Sequence, residues 1–319
     1  MGYSGQWKRT MGLGREATYG AGGTVSEWVN FTDAKFDMGI PLEKLEEMIG
    51  AREQKKTYVK SRTLAPSFSF DLEPENGLGV VFRSLFGTVS SAQAQGTFAY
   101  KHIFSFRQDA EVDSLWASLA QVGTSTKNYV GLFPSKLSVK FGKDENVQCE
   151  VAMIGQNEAT GTYNSGTYGT LQPFTSFANM SVKLDGTENV DIFNFELNVD
   201  TGAKAHLNIG TLNSIRIITQ GKVAVDGSFE IYFADETERT KFLNKISTRI
   251  DLALLGPAIN GTCRNEVNFR LPAVEYSAVP FEDKDGVAGA TIAFNAKYGS
   301  NATGTGVILA ELINTKLTY

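Results

Sequence analysis

The chain contains one structural pattern that occurs twice in the same order. Strand, long polar loop, strand and helix are predicted in each half, at residues 28–37, 67–72 and 76–86 and again at 190–199, 228–233 and 236–246. A repeat of this size predicts one structural unit used twice, which restricts the fold more than any single motif. It also favours a building block of a symmetric assembly over a catalyst.

The composition favours a packed, β-rich protein. The 319 residues are 42% hydrophobic and 20% charged, which is typical of a chain that buries a core. The 32 glycines, 21 phenylalanines and 11 tyrosines favour many short strands joined by tight turns. A net charge of −5 argues against a protein that grips nucleic acid phosphates, because such proteins normally carry the opposite charge.

The cysteines and the N-terminus bear on the compartment. Cys149 and Cys263 stand alone, so neither belongs to a disulfide framework or a CxxC motif. Cys149 lies in an alternating run, which favours a buried apolar filler over a disulfide or a reactive thiol. Residues 1–7 lack the apolar core of a signal peptide, and no run of about 18 apolar residues occurs. We therefore expect no cleaved export signal, no membrane-spanning segment and synthesis in a reducing cytoplasm.

Hydrophobic periodicity predicts the other elements. Two short helices are expected, at 41–50 and 112–119. Strands and hairpins are expected at 25–40, 98–106, 136–153, 177–184, 222–233, 267–298 and 307–319. In the two main helices, the faces Leu78–Phe86 and Phe242–Ile246 are predicted to be buried.

These elements predict an α+β, β-rich fold. It consists of two tandem antiparallel β-sandwich or barrel modules, each with one flanking helix. Residues 156–173 are almost all small and polar and read as a linker between the modules. The predicted division is an N-terminal arm at 1–24, modules at 25–155 and 174–300, and a C-terminal arm or last strand at 301–319.

No catalytic, cofactor-binding or metal-ligating residue is predicted. His102 lies on the aromatic face of a strand, as a structural histidine would, and His206 lies in a loop; neither has a second ligand at metal spacing. Nucleophile-elbow and Walker A sequences are absent. Glu46-Glu47, Asp144-Glu145 and Glu282-Asp283 lie in polar loops, where adjacency does not indicate a cleft. The chain is therefore not expected to be an enzyme.

The long loop of the first half carries opposite charges in sequence. Glu43, Glu46 and Glu47 precede a basic segment at 52–62, which would suit head-to-tail contact between identical subunits. The alternative is a solvated strand face. Candidate inter-subunit residues from the two long loops are Leu42, Glu46, Glu47, Arg52, Lys55, Lys56, Lys204, His206 and Arg216.

Three segments resemble the major tail-tube proteins of long-tailed bacteriophages. The start Gly5-Gln-Trp, followed by Gly12–Gly20 and a strand with Phe31, resembles the N-terminal entry of one group of them. The segment 67–87 resembles their second strand and flanking helix, and Leu271–Tyr276 resembles their C-terminal strand. The resemblance covers most of the chain in layout.

The resemblance implies a structural subunit of the virion tail, assembled in the host cytoplasm. Sheets of neighbouring subunits would join around a channel that conducts DNA without binding it specifically. A long loop would reach the adjacent ring, here at about 36–61 and, by repetition, at 200–222. No cofactor is implied; the partners would be further copies of the chain, a tape measure protein and a tail terminator.

The sequence leaves alternatives open for the number of chains in a ring and for the function. If each chain supplies two tube modules, three chains complete a pseudo-sixfold ring; if one module is decoration, the ring is a hexamer. A rival function is a β-rich adhesin or carbohydrate-binding module, expected to show a groove lined by exposed aromatic residues. A secreted glycan hydrolase is a third possibility, for which the sequence offers no carboxylate pair to test.

Overall fold

The computed structural model describes residues 9–44, 57–59, 62–95, 98–109, 112–121, 125–143, 145–162, 165–175, 180–207, 215–232, 235–284, 286–301 and 304–319. Across these ranges the chain is β-rich, with antiparallel sheets and two helices, so the predicted fold class is confirmed. Neither helix is long and apolar enough to cross a membrane.

The elements of the first half are one helix, α1 (Leu78–Phe86), and a series of strands. The strands are β1 (Thr10–Arg15), β2 (Glu27–Val29), β3 (Asp33–Lys35), β4 (Met38–Gly39), β5 (Leu42–Lys44), β6 (Thr57–Val59), β7 (Thr63–Leu64), β8 (Ser67–Asp71), β9 (Gly87–Gln95), β10 (Ala99–Phe106), β11 (Leu115–Gln121), β12 (Ser125–Phe141), β13 (Gln148–Ile154) and β14 (Asn157–Gly161).

The second half contains the helix α2 (Thr237–Leu243) and a further series. These strands are β15 (Met180–Leu184), β16 (Thr187–Glu188), β17 (Ile192–Asp200), β18 (Lys204–Leu207), β19 (Ile215–Thr219), β20 (Ala224–Tyr232), β21 (Thr248–Asn260), β22 (Cys263–Ala278), β23 (Phe281–Lys284), β24 (Val287–Lys297), β25 (Gly299–Asn301), β26 (Gly304–Gly306) and β27 (Leu309–Asn314). Thus β1 lies in the region expected as an arm, and β14 lies in the region expected as a linker.

The two halves share one order of strand pairing. Ladders of the first half join β1–β11–β12–β13–β8–β3. Ladders of the second half join β15–β21–β22–β24–β20–β17 in the same way. Each helix follows the equivalent strand, β8 or β20. The repeat seen in the sequence is therefore a repeat of topology, with the β9–β10 hairpin inserted into the first half.

The ladders also align the two halves residue by residue. Strands β12 and β22 each change partner along one edge, and this change of partner serves as the anchor of the alignment. On β12 the partner changes from β14, which ends at Val130, to β13, which begins at Phe133. On β22 it changes from β27, which ends at Arg270, to β24, which begins at Ala273. Outward from this anchor, Asp226 takes the place of Ser67 and Asp200 takes the place of Asp37. The sequence repeat aligns Ser67 with Ser228 instead, two residues away from Asp226. A shift of two residues along a strand keeps every side chain on the same face of the sheet, so the hydrophobic pattern does not distinguish the two alignments.

The halves are joined through backbone and core. Strand β12 pairs with β17 across the halves, and β27 lies between β10 of the first half and β22 of the second. The buried Glu311 carboxylate on β27 pairs with Lys101 Nζ at 2.8 Å and with an Arg270 guanidinium nitrogen at 3.0 Å. Buried hydrophobic side chains of both halves form one contiguous cluster.

Two helix predictions are wrong. Residues 115–121 form strand β11, which β1 and β12 flank and whose side chains are mostly buried; this removes the alternation that marks a strand. Of the helix expected at 41–50, Leu42–Lys44 form strand β5, and residues 45–50 lie outside the described ranges.

The two flanking helices differ in burial. Every residue of α1 except Arg83 is buried, so its predicted core face is confirmed. On α2 no residue is buried: Leu243 is 65% exposed, and Ile246 just beyond the helix is 48% exposed, so their predicted burial is wrong. The half-buried Phe242 packs against the core, and the α2 residue Lys241 pairs at 3.0 Å with Asp185 in the turn between β15 and β16, so these contacts hold the helix at the surface. The pair of Lys241 with Glu238, also at 3.0 Å, lies within the helix.

This asymmetry predicts unequal effects of two alanine substitutions. Phe82 on α1 is fully buried and packs edge-on against Phe86, Phe104 and Phe269. Phe82→Ala should therefore lower the free energy of unfolding by about 3–5 kcal/mol. The matched control Leu243→Ala on α2 should change it by no more than about 0.5 kcal/mol. Urea unfolding followed by circular dichroism measures both, and equal losses would contradict the assignment.

His102 is a structural histidine. Its Nδ1 accepts from the Ser91 hydroxyl at 2.8 Å, and its Nε2 donates to the Lys316 carbonyl at 2.9 Å. The ring meets Tyr319 edge-on at 4.8 Å between centroids. Burial lowers the pKa of His102 below its usual value, so the imidazole stays neutral in the folded chain.

The lowered pKa of His102 makes stability depend on pH. On acidification below about 6.5 the unfolded chain takes up this proton first, so the free energy of unfolding falls until pH reaches the folded-state pKa. Between pH 7.5 and 5.5, His102→Gln should lose less stability than the wild type, by up to about 1.4 kcal/mol per pH unit. Identical profiles for the variant and the wild type would refute the assignment.

Candidate assembly surfaces

The described part of the long loop between β3 and β8 forms an exposed two-stranded ribbon. Strand β4 pairs with β7, and β5 pairs with β6 with Leu42 opposite Val59; we call residues 38–44, 57–59 and 62–64 the first ribbon. The Tyr58 hydroxyl donates to Glu43 across the ribbon at 2.7 Å. At its base Leu64 is buried and Gly155 donates its backbone N–H to the Leu64 carbonyl. The base of the first ribbon is thus fixed to the sandwich.

The equivalent connection in the second half is also a ribbon. Strand β18 pairs with β19 between β17 and β20, and residues 204–207 and 215–219 form the second ribbon. Every residue of β18 is exposed, and His206 Nε2 lies 2.8 Å from the Thr219 hydroxyl of the facing strand. At its base Ile218 is buried against Phe133. Both modules therefore extend a ribbon from the same point of their topology.

The ribbons expose apolar side chains. Leu42 on the first ribbon is 64% exposed, and Leu207 on the second is 54% exposed. An isolated two-stranded ribbon is marginally stable in water and needs a further strand or packed surface. A single exposed leucine is common on a protein surface, so it is their presence on both ribbons that makes Leu42 and Leu207 candidates for contact with a partner.

The sequence-predicted residues divide into two groups. Leu42 lies on β5, Lys204 and His206 lie on β18, and Arg216 lies within β19, so these four belong to the ribbons. The others, Glu46, Glu47, Arg52, Lys55 and Lys56, lie outside the described residues. Long polar insertions after equivalent strands were the sequence signal that located both ribbons.

A groove beside α2 was missed by sequence reasoning. It has a volume of about 400 Å³ and lies between the charged face of α2 and apolar residues of the sheet, among them Ile231, Val279, Phe281 and Ile292. The Arg239 guanidinium lies over the Phe281 ring at 5.3 Å. The groove exists because α2 does not cover this part of the sheet, which periodicity within a seven-residue helix does not reveal.

Chemistry-bearing residues are dispersed in the described part of the chain. There, no group of three or more His, Cys, Asp or Glu side chains is arranged to hold a metal ion. Cys149 is buried, as its alternating run predicts, and burial raises the pKa of its thiol, which makes it a poor nucleophile. The surfaces that stand out are the two ribbons and the groove.

Comparison with known proteins adds one match. A family model described as phage tail tube protein matches residues 6–296, nearly the whole chain. No curated protein shows significant sequence similarity to the chain.

Proposed function

Because the chain belongs to the phage tail tube protein family, we propose that it forms stacked rings around a channel that conducts DNA during ejection. Membership makes it a structural subunit of the virion tail that assembles with itself and with other tail proteins. The observation that carries the proposal further is the repeated module with one exposed ribbon per module.

Three chains form each proposed ring. The identical pairing order of the two halves supports two tube modules per chain, which gives a pseudo-sixfold ring from a trimer. The modules would span 25–155 and 174–300, joined by 156–173. Strand β1 in the N-terminal segment 1–24 adds to the sheet of the first module, and the segment 301–319 supplies the last strand, β27. A hexamer with one module as decoration is the alternative.

The ribbons provide the proposed contact between rings. Each projects from its module and exposes a leucine, so a stacked neighbour would bury apolar surface and give the ribbon a packed face. Open head-to-tail stacking of closed rings produces a tube. A tape measure protein inside and a tail terminator at the end are the expected partners, with assembly in the host cytoplasm.

The net charge of −5 suits a channel through which DNA passes without being held. Neutralising phosphates with basic side chains would give salt-dependent binding, and an acidic protein avoids this. The proposed role is therefore conduction of DNA without specific recognition, in a subunit whose work is structural rather than enzymatic.

Replacing the exposed ribbon leucines tests stacking. The double variant Leu42→Asp, Leu207→Asp should form rings that do not stack, because each aspartate removes about 1.5–3 kcal/mol of apolar burial from the contact. Each 1.4 kcal/mol lost is a tenfold loss of affinity, so the tube fraction should fall by at least about tenfold. Sedimentation and negative-stain microscopy measure that fraction.

The matched control is Val190→Asp, an equally drastic change at an exposed apolar residue outside both ribbons. It should assemble like the wild type. Tubes of normal length from the double variant would remove the ribbons from the proposal. Discrete wild-type particles at every concentration would instead favour the binding-module function, for which the groove beside α2 would be the first candidate surface.

A further inference from the structure

The two modules of one chain meet through a specific ladder. Residues 136–141 of β12 pair with 195–200 of β17, with Ser138 opposite Asn198 and Val139 opposite Leu197. At the end of the ladder the Phe141 and Phe195 rings stack, with centroids 5.6 Å apart and planes 4° apart. Lys136 and Asp200 form an ion pair at 3.2 Å.

The topological repeat supplies a second copy of both partners. With β12 and β22 aligned from their shared anchor, residues 275–281 take the place of 136–141, with Ser277 as an extra bulged residue. Likewise β3 and its flanks, residues 32–37, take the place of 195–200 on β17. Within the chain these second copies belong to opposite modules and are not paired with each other in the described ladders.

Burial distinguishes the joined site from its copy. Val139 is fully buried and Phe141 is 4% exposed beneath β17, whereas their counterparts Val279 and Phe281 are half-buried and 45% exposed. Val279 and Phe281 line the groove beside α2. The copy therefore shows the apolar surface that β17 covers at the joined site.

The backbone of the copied site is oriented for pairing. The Pro280 carbonyl accepts from the Thr291 N–H of β24, so the backbone of Pro280 faces β24 and that of the adjacent Val279 faces the other way. Proline has no backbone N–H, but this missing donor would have pointed toward β24. A strand arriving at the opposite edge therefore loses no hydrogen bond. The edge that Val279 presents is the one that β17 occupies on β12.

Strand β3 presents a matching edge. Among the described residues its ladder lies on one side, against β8. The Ala34 carbonyl accepts from the Arg9 side chain at 2.9 Å, which a strand pairing at Ala34 would replace. A basic side chain over a strand edge is a common guard against premature pairing.

We propose that β3 of one chain pairs antiparallel with residues 275–281 of a neighbouring chain, with Lys35 opposite Ala278 and Ala34 opposite Val279. This rests on the proposed ring, and it assigns which edges meet and in what register. Asp37 would lie opposite Glu275, and Lys297, which is paired with Glu275, supplies the counter-charge. Junctions within and between chains then alternate around a closed trimer.

Paired cysteines test the register in assembled protein. In a Cys263→Ser background, which leaves buried Cys149 as the remaining native thiol, Lys35→Cys with Ala278→Cys should oxidise between chains. A closed trimer limits the products to covalent dimer and trimer on a denaturing gel. Ser138→Cys with Asn198→Cys is the positive control, since this equivalent pair should close within one chain.

The negative control keeps the same strands but moves out of register. Asp33→Cys with Glu275→Cys would lie about 13 Å apart along the ladder, beyond the reach of a disulfide. Covalent trimer from the test pair alone supports the proposal. Normal tubes in which the test pair stays monomeric while the positive control closes would overturn it and leave the tube function intact. Wild-type protein that never forms rings would contradict the function, and the proposed junction would fall with it.

Discussion

Unpaired strand edges are the constraint on which this structure depends. Backbone N–H and C=O groups at an edge need partners, and exposed edges invite pairing with other chains. The chain satisfies one such edge internally, because β17 of the second module pairs with β12 of the first and stacks Phe195 on Phe141. The same ladder sets the two modules side by side in a fixed register, as successive units of a ring would be.

The two modules have diverged around this shared plan. In the first, α1 packs against the inserted hairpin β9–β10 and the C-terminal residue Tyr319, whose ring leaves room for no side chain at Gly79. In the second, the equivalent insertion is absent, and α2 stays at the surface, where Lys241 pairs with Asp185 and Phe242 packs against the core. The first module therefore holds the helix-covered part of the core, while the second leaves the groove beside α2 open.

Periodicity and repetition in the sequence predict part of this fold. Alternation predicts the strand at 67–72 and helical spacing predicts the buried face of α1, because both patterns report burial directly. Periodicity does not predict β11, because this strand is buried on both faces. It also does not predict the exposure of Leu243 and Ile246, because the second half lacks a hairpin equivalent to β9–β10, against which α1 packs. Long polar stretches in the sequence predict the positions of the ribbons. The groove and the register of 275–281 follow only from the strand ladders. In particular, the bulge at Ser277 leaves no trace in composition.

If each chain places two equivalent tube modules side by side in a ring, the symmetry of the ring follows, and cryo-electron microscopy of the assembled protein measures it. We expect stacked threefold rings with two similar modules per chain and continuous sheet across every junction. Sixfold rings in which one module stands outside the wall would contradict it.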